Sequence, residues 1–349
     1  MGAITSSKAL QDIEKGKFAP IYWIWGPEAF FTDKLLAALK KKVVTAAPDF
    51  NFDNLDAGPP VKSGMSQVIG AASSHPTMAP LRLVLVKSAD AFKADDYDAL
   101  ADYAANPLGT TVLCFVSSGD KKPDLRRKAF KAIDKLGGLV ECKPVYEREI
   151  PAWVDRMAKE RGMSVERGAV DVLVQYIGTD LLAIDQTIEK ASLLQENPTV
   201  LSEALAQEAV SLSRHRDVFE VFNAAVEGRQ ADAVSGLRRL YTDGEKAAGL
   251  LPGLWWQFKR LWMAAEMVSN GKRRPEISQV VGGGRPMAPW ALDQLAKQVV
   301  TFDAERCRQV APRFTRLDRL AKGGTHFPEI ELEHLVLEMS GIAGRKARR

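Results

Sequence analysis

As far as Val145 the chain alternates short, continuous apolar runs with longer amphipathic ones, the signature of a parallel sheet covered by helices. Strands are predicted at Ile21–Trp25, Asn51–Asp56, Leu81–Lys87, Thr110–Val116 and Gly138–Lys143. The unbroken series Leu83-Val84-Leu85-Val86 and Val112-Leu113-Cys114-Phe115-Val116 suit strands buried from both faces, where no polar alternation is needed. Between them, Phe30–Val44 carries Phe31, Leu35, Leu36 and Leu39 on one side at helical spacing. Pro123–Leu136 does the same with Leu125, Ala129 and Ile133.

After Lys143-Pro144-Val145 the strand pattern stops, and everything downstream reads as helix with short Gly, Pro or Asn punctuation. Helices are predicted at Glu149–Arg161, Glu166–Ile177, Leu181–Gln195 and Ser202–Ser211. A second series from about Arg214 comprises Val218–Val226, Ala231–Tyr241, Lys246–Asn270, Trp290–Val300, Glu305–Leu320 and Glu329–Met339. The expected fold class is α/β followed by all-α, in three domains: 1–145, 146–213 and 214–349. A chain of 349 residues exceeds what one core usually organises, which agrees with that division.

Hydrophobic residues at 46% and charged residues at 26% belong to a folded globular chain and exclude a disordered or fibrous one. No apolar run approaches the ~20 residues needed to span a bilayer, and Met1 to Lys8 lacks the pattern of a secretory leader, so a cytoplasmic location without membrane contact is expected. Cys114, Cys142 and Cys307 are odd in number and free of CxxC spacing, and read as reduced, mostly buried thiols. A net charge of +4 permits contact with nucleic acid but falls short of a dedicated basic binding domain.

A strand ending in glycine and opening into a helix is where a phosphate-binding loop sits, and Trp23-Ile24-Trp25-Gly26-Pro27-Glu28 occupies that place. The pattern GxxxxGK[ST] then needs a glycine for close backbone approach, a lysine for the phosphates and a hydroxyl for magnesium. Counting from Gly26, those positions hold Phe31, Thr32 and Asp33. Leu83-Val84-Leu85-Val86 is likewise followed by Lys87-Ser88-Ala89 where a magnesium-holding aspartate and a catalytic glutamate belong. Both absences fit an ATPase fold stripped of its chemistry, and equally an ordinary α/β domain. Catalytic residues, cofactor and metal are therefore all expected to be none. His75, His215, His326 and His334 form no ligand spacing, and Gly282-Gly283-Gly284-Arg285 reads as a flexible interhelical loop. Asp95, Asp96 and Asp98 suit the first turn of a helix, where they complement its dipole.

Trp255, Phe258 and Trp262 fall on one helix face, for packing between helices or as a platform on which bases stack. Lys121, Lys122, Arg126, Arg127, Lys128 and Lys131 form either a solvated helix face or one that tracks a phosphate backbone. The same two readings apply to the tail Arg345-Lys346-Ala347-Arg348-Arg349. Two wider alternatives follow from these features: a nucleic-acid-binding adaptor, or an ATPase with an unusual loop.

From end to end the chain resembles the delta-subunit family of bacterial DNA polymerase III clamp loaders. The likeness is carried by Ala19-Pro20-Ile21-Tyr22-Trp23-Ile24-Trp25-Gly26-Pro27-Glu28, by Pro76 to Val86 with Arg82-Leu83-Val84-Leu85-Val86, by Trp153, Gly178-Thr179-Asp180-Leu181 and Ile188-Glu189-Lys190. It continues through Asp217-Val218-Phe219, Gln257-Phe258-Lys259-Arg260-Leu261 and Asp318-Arg319-Leu320-Ala321-Lys322.

The resemblance implies a RecA-like AAA+ domain with a degenerate phosphate loop, a small helical lid and a helical collar that joins a ring of subunits. It implies a subunit without catalysis that binds the sliding clamp (the beta subunit) and holds its ring open for loading onto primed DNA. Its implied partners are the gamma/tau and delta prime subunits, the clamp, and primed DNA within the assembled complex. The clamp-binding tip of this family is a hydrophobic pair, commonly Leu-Phe, just before the central strand. Here that place falls on Pro76, Thr77 and Met78, with Leu81 close behind; threonine removes apolar area, while methionine keeps an adaptable hydrophobe. Without the resemblance the same segment reads as a plain loop between helix and strand. Lys122, Arg126, Arg127 and Trp290 are the implied DNA contacts, Trp290 by stacking at the primer-template end.

Overall fold

The computed structural model describes residues 2–117, 122–321 and 327–347; Lys121, Lys322, His326, Arg348 and Arg349, singled out above, lie outside them. The chain divides into two compact units, Met1–Val145 and Tyr146–Arg349. The first comprises β1 (Ile4–Thr5), α1 (Ser6–Glu14), β2 (Ile21–Trp25), α2 (Ala29–Val43), α3 (Pro48–Asn51), β3 (Phe52–Asp56) and α4 (Met65–Ala72). It continues with β4 (Arg82–Lys87), α5 (Asp96–Ala105), β5 (Thr111–Val116), α6 (Lys128–Lys135) and β6 (Leu139–Glu141). The strands form a parallel sheet in the order β1-β6-β2-β5-β4-β3, so β2 is central.

Side chains alternate across a strand, and here both directions are buried. Ile21, Trp23, Trp25, Val84, Val86, Leu113, Phe115 and Leu139 share one core with apolar residues of α4, α5 and α6. Tyr22, Ile24, Leu83, Leu85 and Cys114, which point the other way, are buried as well, and this is why the strand sequences are unbroken apolar runs. Trp23 anchors the first face: its ring stacks on Phe115 at 5.0 Å and meets Phe130 edge-on at 4.8 Å. Each fully buried large side chain of this kind stabilises the fold by ~1.5–3 kcal/mol.

The periodicity locates β2 to β6 and α2 closely but passes over β1, α1, α3 and α4, which are too short to establish a pattern. The predicted helix from Pro123 begins only at Lys128. Asp124 is responsible, because its carboxylate accepts from the backbone N–H of Arg126 at 3.1 Å and offers the chain a turn in place of a helix.

In the second unit come α7 (Ile150–Glu160), β7 (Ser164–Val165), α8 (Arg167–Ile177), α9 (Leu181–Leu194), β8 (Val200–Leu201) and α10 (Glu203–Ser211). These are followed by α11 (Arg214–Val226), α12 (Gln230–Thr242), α13 (Ala247–Ser269), α14 (Arg274–Val281), α15 (Pro289–Thr301), α16 (Ala304–Arg319) and α17 (Pro328–Ala347). The expectation of helix alone is corrected by β7 and β8, a two-residue parallel pair. Side-chain caps start several of these helices: Asp180 accepts from the Ala183 N–H, Ser202 from Leu205 and Asp303 from Arg306. One apolar core runs from Val218 to Ala343 through every helix from α11 to α17, with Phe222, Phe258 and Phe302 fully buried in it. Truncating one of these rings to alanine costs ~3–5 kcal/mol.

Candidate functional site

At the phosphate-loop position the backbone itself closes the space. Gly26 leaves β2 with φ of 128°, and a Cβ there would lie 2.3 Å from the Cys142 carbonyl oxygen. Cys142 donates its N–H to the Trp25 carbonyl at 2.7 Å and accepts from the Glu28 N–H at 3.2 Å, so the turn is fastened to the end of β6. Glu28 then caps α2, its carboxylate accepting from the Phe30 N–H at 3.3 Å. A helix N-terminus is a ready anion site, and here the chain's own anion occupies it. Phe31 is buried, and Asp33 is exposed on α2. The Thr32 hydroxyl bonds the Cys142 thiol, whose pKa burial pushes up to about 11.

The end of β4 offers no more to a metal ion. Ser88 bonds the Asp56 carboxyl, which the Gly58 N–H and this hydroxyl hold below the ordinary carboxylate range. Among the described residues no group of three or more His, Cys, Asp or Glu is placed to hold a metal. Cys114, Cys142 and Cys307 are free, buried thiols, as expected.

The tip segment Pro76 to Leu81 connects α4 to β4. Met78 is 91% exposed, with φ of 54° in the left-handed region that residues with a side chain seldom occupy. Thr77 before it is exposed, Pro76 and Leu81 are half-buried. A residue that sequence reasoning missed organises the segment: Asn51, fully buried at the end of α3. Its Oδ1 accepts from the Thr77 N–H at 2.8 Å, and its Nδ2 donates to the Thr77 carbonyl at 2.7 Å. Arg82, the first residue of β4, donates to the Phe50 carbonyl at 2.6 Å and pairs with Asp53. Phe50, on the same turn as Asn51, is 64% exposed.

The basic cluster is not one helix face. Lys122, Arg126 and Arg127 all precede α6. Lys122 is exposed, and Arg126 pairs with Asp124 at 2.9 Å. Arg127 lies over the Tyr97 ring at 5.2 Å and donates to the Ala94 carbonyl, which commits it to the domain's own packing. Lys122 and Arg127 line a cavity of about 380 Å³ with Trp23, Asp90, Tyr97 and Phe130. In the second unit Trp290 is half-buried and stacks on Tyr176 at 6.4 Å, which in turn packs on Phe219 at 4.6 Å.

The aromatic face of α13 is used for packing: Phe258 is fully buried and stacks on Phe314 at 4.7 Å, and Trp255 meets the same ring at 5.4 Å. The loop at Gly282 is likewise a close-packed turn and not a loose one, since a Cβ on Gly282 would lie 2.1 Å from the Arg285 carbonyl oxygen. Gly284 donates to the Gln279 carbonyl at 2.8 Å across the same turn. On α13 two polar side chains that periodicity did not single out turn inward. Gln257 donates to the Gln175 carbonyl at 2.7 Å and Arg260 to the Gln175 Oε1 at 2.6 Å, both buried. Gln175 lies in the last turn of α8, whose carbonyls have no partner within the helix, so α13 caps α8. Beside them Gly178 has φ of 80°, and a Cβ there would sit 2.9 Å from the Trp256 ring.

Two family models match this chain. The model for the DNA polymerase III delta subunit covers residues 22–143, and that for the delta subunit's C-terminal domain covers residues 215–339. The DNA polymerase III subunit delta of Bacillus subtilis (strain 168) is 21% identical over 338 residues, 94% of this chain and 95% of the relative. That of Escherichia coli (strain K12) is 26% identical over 141 residues, 40% of this chain and 41% of the relative. Among solved structures, the Bacillus subtilis DNA clamp loader delta protein matches with a TM-score of 0.57 at 21% identity, over 96% of this chain and 99% of that one. The likeness is one of fold: a parallel sheet followed by helices. With the two models together matching most of its length, the chain belongs to the DNA polymerase III delta subunit family.

Proposed function

We propose that this delta-family subunit binds the sliding clamp through the Pro76 to Leu81 tip and holds the clamp ring open for loading onto primed DNA. The observation that carries the reading is Met78: a large apolar side chain 91% exposed, on a backbone bonded to the buried Asn51. Exposed hydrophobes held on an ordered frame mark contact sites. The mechanism is differential binding, since a subunit that grips the open clamp more tightly than the closed one shifts the opening equilibrium by that difference.

ATP acts through the neighbouring loader subunits, gamma/tau and delta prime. In support, the loop after Gly26 is closed on Cys142 and its helix is capped by Glu28. Residues 146–213 serve as the lid and 214–349 as the collar that joins the ring; the continuous apolar core of α11 to α17 suits such a body. DNA contact within the assembly falls to Lys122 and Arg126, which face solvent, with Trp290 at the primer-template end. No described helix is long and apolar enough to cross a membrane, in keeping with work in the cytoplasm.

The test is surface plasmon resonance with purified sliding clamp. Met78→Ala is expected to lose about 1–3 kcal/mol of binding, the range of a buried interface anchor, with an unchanged melting temperature. Wild-type affinity in a folded Met78→Ala protein removes Met78 from the interface.

A further inference from the structure

We propose that Asn51 is the positioning residue of the tip: its buried amide locks the backbone at Thr77 and thereby sets the left-handed conformation that presents Met78. The proposal rests on the reading of Met78 as the clamp contact.

Three observations lead to it. The Asn51 side chain is fully buried and uses both ends: Oδ1 accepts from the Thr77 N–H at 2.8 Å, while Nδ2 donates to the Thr77 carbonyl at 2.7 Å. This two-bond exchange copies the pairing of neighbouring strand residues, across a gap of 26 positions in sequence. Nδ2 also donates to the carbonyls of Ala46 at 2.9 Å and Ala47 at 3.2 Å, which fixes the amide plane from the other side. Finally, Ala47 and Met78, both bearing side chains, have φ of 43° and 54°. A residue 91% exposed has almost no packing of its own to hold so unfavourable a backbone, so the restraint must come from the residues it is bonded through.

The consequence is preorganisation. An anchor already fixed in its bound shape loses little conformational freedom on docking, and one on a free loop loses much more. Asn51 touches no clamp in this scheme; it acts through Met78. A purely architectural role for Asn51 would lower stability and leave the tip's affinity for the clamp intact.

Hydrogen exchange on the full-length wild type reads the lock directly. The Thr77 amide, on an exposed segment, is expected to exchange more slowly than its neighbours by at least about tenfold; exchange at the unprotected rate overturns the proposal without any variant having to fold. Clamp binding by wild type, Asn51→Ala, Met78→Ala and the double variant supplies the second readout. Asn51→Ala is expected to weaken binding about tenfold, and the double variant to bind no more weakly than Met78→Ala, because both changes remove one anchor. Full additivity, or wild-type affinity in Asn51→Ala while Met78→Ala is impaired, overturns the proposal alone. Wild-type affinity in Met78→Ala removes Met78 as the clamp contact, and the proposal with it.

Discussion

Arg260 on α13 donates to the side chain of Gln175 on α8 at 2.6 Å, inside the helical unit, where its guanidinium is all but inaccessible to solvent. The bond sets a positive charge beside the end of α8, the sign that a helix C-terminus favours, while Gln257 caps the Gln175 carbonyl. Arg260 Nε has no hydrogen-bond partner, and neither has the buried Oε1 of Glu147, which lines the same small cavity together with Asp171 and Arg285. Burial lowers the arginine's pKa, opposed by the attraction of Glu147.

Glu147 makes stability depend on pH. Burial raises its carboxyl above the ordinary glutamate range, while Arg260 and Lys259 pull it part of the way back. A group that binds its proton more tightly folded than unfolded contributes stability in full below its unfolded pKa, and loses it as pH rises through the folded one. Asp171, raised mainly by burial, acts in the same direction. The deficit in melting temperature of wild type against Glu147→Gln should therefore shrink as pH falls from 7 to about 4.5, the wild type gaining relative to the variant. A difference that stays constant over this range refutes the buried carboxyl as the source.

Gly178 tests how tightly α8 meets α13. Alanine there would meet the Trp256 ring at 2.9 Å and strain a backbone with φ of 80°. Gly178→Ala is expected to cost ~1–3 kcal/mol, seen as a lower denaturant midpoint with an unchanged slope. A variant as stable as wild type shows that Trp256 yields at no cost.

Nucleotide should not bind. Calorimetric titration of the isolated protein with MgATP is expected to give no saturable heat, and Thr32→Lys, which restores the missing cation, should not change this. The reason is steric as well as electrostatic: the turn at Gly26 is fastened to Cys142, and Glu28 occupies the helix N-terminus. A micromolar dissociation constant for the wild type would show that the loop opens.

The neighbours of Met78 divide into contact and core. Thr77 is exposed, so Thr77→Leu adds apolar area at the tip and is expected to tighten clamp binding by up to ~1 kcal/mol without altering the melting temperature. Leu81 is half-buried before β4, so Leu81→Ala should lower stability more than affinity. Surface plasmon resonance with parallel melts separates the two. Loss of binding in a fully stable Leu81→Ala protein would move the anchor to Leu81.

Much of this protein is decided by local pattern. The run Ile21 to Trp25 reads as a strand buried on both faces, and Phe31, Thr32 and Asp33 stand where a phosphate loop has its glycine, lysine and hydroxyl residue. The odd, scattered cysteines read directly as buried thiols. These properties depend on residue type and on neighbours a few positions away, which the sequence displays. What it does not display is which distant groups meet. Asn51 reads as the first residue of a strand, and only the approach of α3 to a loop 26 residues later makes it the partner of Thr77. Nothing in the spacing of its helical run marks Arg260 as buried, and the packing of α13 on α8 buries it. The basic residues before α6 read as one positive face until the Asp124 turn delays the helix and Arg127 folds onto Tyr97. Hydrophobic periodicity reports the direction of a side chain from its own element, whereas a polar side chain takes its role from the element it meets, and that is settled only when the chain is packed.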